Sequence, residues 1–257
     1  MNTALLLARS AFWRTIRSRV VVGYGVGIAG IVAAFSSFGG DPSKVTLTLV
    51  SLLLLIVPLV TLIIVAIEYY NNREFTELML AQPIGRRAYY WGQWTGTIAA
   101  LGVMCIVPLT AGYAVWQNYD VVLVETAALV LTLCFGALAY RVAVGQSDKA
   151  KGIGIAMLVW FYCAVLYDAV LVAMMALLEE YPLEKALLVL LALNPIDAIR
   201  VAVLLHSDSA ALLGITGAVL REFFGSERSL VAIAVVVSIW IGYPLLRGER
   251  IFRRRDF

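Results

Sequence analysis

The chain has 257 residues, 62% of them apolar and only 14% charged, with mean hydropathy +0.90. Soluble domains sit nearer half apolar and a quarter charged, so the composition excludes a soluble domain and predicts an all-α integral membrane protein. The net charge of +3 matters less than its distribution: basic residues cluster beside apolar runs, which argues against a nucleic-acid surface.

Residues 1–19 mix Leu5, Phe12, Trp13 and Ile16 with Arg9, Arg14, Arg17 and Arg19. That pattern suits an amphipathic interfacial helix leading into the membrane. Val20–Phe38 lies too far along for the apolar core of a cleavable signal, so it reads as the first span. Val45–Ile67 is the second span.

Residues 68–94 then form the longest polar interruption in the first half. Within them, Arg73–Leu80 (REFTELML) reads as a short amphipathic helix. Phe75, Leu78 and Met79 share one face, with Glu74 and Glu77 placed toward Arg73 or solvent. Gln82-Pro83 stops this helix, and Gly85-Arg86-Arg87 turns the chain back to the membrane.

Thr95–Trp116, Val121–Val144 and Gly152–Leu178 are spans three to five. Gly92 with Gly96, and Gly23 with Gly27, are small-xxx-small pairs that permit close helix approach. Pro58 and Pro108 are expected to kink their spans. Cys105, Cys134 and Cys163 all fall in apolar spans, which argues against a disulfide framework.

Residues 179–229 are the second polar region. Ala186–Leu193 is too short to span. Asn194-Pro195 supplies an N-cap followed by proline at the first helical position, and Ser207-Asp208-Ser209 offers a second cap. A seventh span over Ala186–Leu205 would put Asp197 and Arg200 in hydrocarbon, at about 2.5–3.5 kcal/mol each. Short helices at the outer surface are the better expectation. Leu230–Leu246 is the sixth span, and residues 247–257 form a basic tail.

Fifteen Lys and Arg fall in the head, the 68–94 loop, the loop around Gly145 and the tail; five fall on the other side. Positive loops stay inside, so both termini are expected in the cytoplasm.

The chemistry is defined partly by absences. No GxxxxGK[ST] loop is present, and the single His206 excludes an HExxH site, so an enzyme is not expected. Asp168 is the clearest ionisable residue within a span. It either lines a substrate path, with Met104 and Cys163 as further candidates, or lies near the outer interface and reaches water or Tyr167. Met104, Cys105, Cys134, Met157, Cys163, Met174 and Met175 scatter soft sulfur at comparable depths, but no ligand-like spacing links them. No metal site is assigned.

The run NNREFTELMLAQPIGRRAYYWGQ resembles the segment after the second span of ABC-2 type transporter permeases. Glu77, Leu80, Pro83 and Arg86 match the recurring positions, while Glu74-Phe75 replaces the family's usual Gly-Thr. The resemblance implies that Arg73, Glu74, Glu77, Leu78, Leu80, Pro83 and Arg86 form a coupling element. A separate cytoplasmic ATPase subunit would dock there and hold ATP and Mg, with no cofactor in this chain. A narrower resemblance, to NosY-type permeases, rests on Asn194, Pro195, Asp197 and Arg200 in LNPIDAIRVAVLLHSDSAALLGITGAV. It implies an inner-membrane homodimer with a periplasmic β-helical partner that contacts those four residues. The role implied is maturation of the copper-sulfur centre of nitrous oxide reductase. Export of another cargo (lipid, drug or ion) and a non-transporting assembly scaffold are the alternatives.

Overall fold

Apolar runs in a membrane must satisfy their own backbone hydrogen bonds, and helices do this within one segment. The computed structural model describes residues 3–37, 40–177, 190–191, 193–206 and 227–255, and these are helical with short connections. In chain order the helices are α1 (Thr3–Ile16), α2 (Arg19–Ser37), α3 (Pro42–Asn71), α4 (Arg73–Leu80), α5 (Arg86–Trp116) and α6 (Val121–Gly145). After these, α7 (Lys149–Phe161) passes through one π turn (Tyr162–Leu166) into α8 (Tyr167–Leu177). Helices α9 (Pro195–His206) and α10 (Glu227–Arg254) follow among the described residues.

Five of these segments are long and apolar enough to cross a membrane: α2, α3, α5, α6 and the composite Lys149–Met174. The expected sixth span, Leu230–Leu246, lies inside the 28-residue α10, which is not among those five.

Several expected boundaries change. Helix α5 begins at Arg86 rather than Thr95, so much of the polar 68–94 stretch is helix. Hydropathy marks where a chain leaves hydrocarbon, whereas a helix continues until its hydrogen bonding is capped. Asp41, Asp120 and Asp148 supply such caps, accepting from the backbone N–H of Ser43 (3.0 Å), Leu123 (3.0 Å) and Lys151 (2.7 Å). Both α3 and α5 continue through Pro58 and Pro108.

Helix α6 is central, packing against α3, α5, α7, α9 and α10. Small residues such as Ala128, Ala137 and Ala139 alternate there with buried Leu131, Phe135 and Tyr140. Helix α1 lies along α5, as the Gly92/Gly96 pair predicts. A Cβ at Gly92 would press on the Ala4 carbonyl and Leu7, and one at Gly96 on the Ala8 carbonyl and Ala11. Gly23 and Gly27 differ: among the described residues, no atom of another element lies within 4 Å of where a Cβ would stand at either.

The basic segments gather at one end. Arg14 of α1 lies over the Phe75 ring of α4 (5.4 Å), and Arg73 donates to the Ser147 carbonyl (3.3 Å). Lys149 donates to Asn71 (2.8 Å). Arg86 donates to the carbonyls of Arg253 (2.8 Å) and Arg255 (3.0 Å), tying the start of α5 to the end of α10. The opposite end holds the Asn118–Ser36 and Asp120–Thr46 hydrogen bonds.

Candidate functional site

Two polar constellations stand out, one at each end of the bundle. At the basic end, α4 occupies the residues predicted for it, Arg73–Leu80. Its entry is fixed by Asn72, whose amide donates to the Glu68 carbonyl (2.5 Å) and carboxylate (3.2 Å). Thr76 is buried, donates to the Asn72 carbonyl (2.8 Å), and shares a 2.8 Å hydrogen bond with the Tyr89 hydroxyl. The Tyr89 ring in turn stacks on Phe252 of α10, 6.1 Å between centroids. Helix α4 is thereby bonded to α5 and, through it, packed on α10.

The inward face is the expected one except at Leu78. Phe75, Met79 and Leu80 pack against the core, but Leu78 points outward at 67% exposure. With Glu74 and Glu77 exposed beside it, the outer face combines two carboxylates and a bare leucine. The Arg73–Glu77 ion pair (3.2 Å) is exposed, so it adds about 0–1 kcal/mol at most. Pro83 is exposed, while Arg86 is committed to the tail carbonyls.

Two residues that the sequence did not single out complete this end. Glu249 is buried, accepts from the Trp91 indole N–H (2.9 Å) and pairs with Arg87 (3.4 Å). Its signal was available: it is the acid among the arginines that begin the tail. Arg255 donates to the carbonyls of Val144 (2.8 Å) and Gln146 (3.2 Å) and to the Ser147 hydroxyl (3.0 Å). A cation at the carbonyl end of α6 is well placed for the helix dipole. Arg255→Ala should loosen the α6–α7 turn by about 1–2 kcal/mol, read as about tenfold faster amide exchange at residues 144–147.

At the other end, Asn194 and Pro195 start α9 as predicted, with Asn194 Oδ1 accepting from the Ile196 N–H (3.2 Å). The Asn194 amide also donates to the Cys163 carbonyl (2.8 Å), inside the π turn, and to Asp197 (2.7 Å). Arg200 NH1 bridges Asp197 (2.7 Å) and Asp168 (3.3 Å). Asp168 thus reaches Arg200 rather than the Tyr167 hydroxyl, which donates instead to the Leu190 carbonyl (2.6 Å). The Asp197 side chain is fully buried, whereas Asp168 and Arg200 are 36% and 42% exposed. Burial pushes the Asp197 carboxyl up to about 6; Arg200 opposes the shift and Asp168 adds to it.

Two sets predicted separately, Asp168 with Cys163 and Asn194-Pro195-Asp197-Arg200, are therefore one cluster. Met104 is not part of it; its sulfur lies beside Gly25 of α2. Among the described residues no group of three His, Cys, Asp or Glu side chains is placed to hold a metal. Ser207-Asp208-Ser209, and most of 179–229 and of Ala186–Leu193, lie outside the described residues.

No family model matches the chain. Over 248 residues it is 28% identical to a probable ABC transporter permease protein NosY of Pseudomonas aeruginosa, spanning 90% of this chain and 88% of that protein. A protein of the same description from Stutzerimonas stutzeri is 28% identical over 252 residues, with the same two shares. Similarity of this breadth supports a multi-pass permease subunit of an ABC transporter, of the NosY type.

Proposed function

We propose that this chain couples ATP hydrolysis in a separate cytoplasmic ATPase to movement of a substrate across the inner membrane. The observation that carries the proposal is α4. Its outer face, Glu74, Glu77 and Leu78, is free to receive a partner, while Thr76 and Phe75 on its inner face engage Tyr89 and Arg14. A push on the outer face would pass to α1, α5 and α10. ATP and Mg would sit in the partner, and ATP-driven closure would supply the difference in contacts that a two-state cycle requires.

In this proposal α10 is the sixth span, the basic end faces the cytoplasm and the chain works as a homodimer. The exposed faces favour a second copy: only 17% of the apolar window of Lys149–Met174 is buried, and Gly23, Gly27 and Gly30 of α2 face open space. The resemblance to NosY-type permeases extends the role to maturation of the copper-sulfur centre of nitrous oxide reductase, with a β-helical periplasmic partner near α9. Because Asn194, Pro195 and Asp197 are buried, Arg200 is the member of that set offering an exposed side chain.

Glu77→Arg tests the docking role. Reversing a charge at a contact costs about 1–2 kcal/mol, so the ATPase co-eluting in mild detergent should fall about tenfold. Undiminished co-elution together with undiminished ATP-dependent transport would remove α4 as the docking element.

A further inference from the structure

The cluster at the π turn holds two carboxylates against one guanidinium. Asp197 spends one oxygen on Arg200 and the other on the Asn194 amide, and is fully buried. Asp168 meets the same Arg200 nitrogen, at 3.3 Å against 2.7 Å for Asp197. Two carboxyl oxygens are both acceptors, so they hydrogen-bond only when a proton lies between them; both ionised, they repel.

Among the described side chains the surroundings supply no second cation. Next to Asp197, the fifth span presents Asp168, Tyr167 and the Cys163 thiol. On α6, Glu125 is held by Thr110 (2.5 Å) and Asp120 caps its own helix. The charges of α3 lie in its first turn at Lys44 and at Glu68, which holds Asn72. On α10, Glu249 is engaged with Trp91 and Arg87 at the far end. Among the described side chains, Arg200 alone pairs with both acids.

We propose that Asp168 and Asp197 form a proton-binding site, in which one proton is shared between the two carboxyl groups and its loss loosens α9 from the fifth span. The step is proton uptake and release only, with water as the exchange partner. It does not depend on the transport role.

The direction follows from linkage. With α9 attached, the Asp197 carboxyl is raised from 3.8 to about 6; released from the cluster, it returns toward the ordinary carboxylate range. The attached state therefore holds more protons than the released one between those values. Attachment is firmest at the acid end, weakens as pH rises through about 6, and is constant above it.

The test uses the purified full-length protein in detergent, with amide exchange of residues 194–206 followed on both sides of pH 6. Dividing wild type by Asp197→Asn at each pH cancels the intrinsic pH dependence of exchange. The neutral amide stands in for the protonated acid, so relative protection of wild type should fall about tenfold or more as pH rises. Asp168→Asn leaves Arg200 wholly to Asp197, so the midpoint should move to lower pH. A pH-difference infrared spectrum gives a readout independent of the folding of either variant. Wild type should show a protonated-carboxyl stretch that titrates in the same range. A flat protection ratio, a midpoint unmoved by Asp168→Asn, or no titrating carboxyl band in wild type would overturn the proposal.

Discussion

Gly96→Leu should be the most destabilising single substitution along the interface between α1 and α5. Any Cβ at Gly96 meets the Ala8 carbonyl and Ala11, which are backbone and short side chain and cannot swing aside. Overpacking typically costs about 1–3 kcal/mol, and a leucine against backbone belongs at or above the upper end. The helix α1 should detach over its length rather than shift, because Gly92 meets Ala4 and Leu7 in the same way. Thermal unfolding in detergent should move down by several degrees, with amide protection lost first across residues 4–15. Gly27→Leu is the matched control, since among the described residues a Cβ at Gly27 would meet no other element within 4 Å. It should leave the isolated chain's stability nearly unchanged. If α2 lies at the proposed dimer interface, the same substitution should lower the dimer fraction.

Arg200→Leu should have the second largest effect. It strips the counter-charge from both Asp168 and the buried Asp197 at once. Breaking a fully buried pair costs about 3–5 kcal/mol; with Arg200 almost half exposed, about 2–3 kcal/mol is the expected loss. Arg200→Lys keeps the charge but on a shorter side chain, so it should recover only part of the loss. Arg200→Leu combined with Asp197→Asn should lose less stability than the two single losses sum to, since the buried charge is gone. Amide exchange across residues 194–206, together with thermal unfolding, measures all three.

The sequence made some of this legible for definite physical reasons. Helix α4 was bracketed correctly at Arg73–Leu80 because a short amphipathic segment lies between a polar entry and a proline stop. Asn194-Pro195 announced α9 because capping is local chemistry. The charge count grouped the four basic segments, and their hydrogen bonds and ring contacts now bring them to one end. What failed was long-range. The side of α4 taken by Leu78 was decided by Thr76 finding Tyr89 and Phe75 finding Arg14, partners no periodicity names. Asp168 was read as a lone acid because Arg200 lies 32 residues further along the chain. The span endings were misplaced where helices ran on past the apolar stretch, as α5 does from Arg86 through Trp94.

The π turn at Tyr162–Leu166, closed by the Tyr167 N–H on the Tyr162 carbonyl, carries a consequence in register. A π turn takes one residue more than the α turn it replaces. Each residue of an α-helix advances the wheel by about 100°. Rewinding the same residues into continuous α-helix would rotate everything beyond the turn by that angle. Asp168 would swing away from Arg200, and the Cys163 carbonyl would return to the helix instead of accepting from Asn194. In an alignment of relatives, a single-residue gap at this turn should therefore remove the π turn and leave the Asp168–Arg200 pairing in place. The wider turn, not the number of residues, is thus the difference between an acid facing lipid and an acid facing its partner.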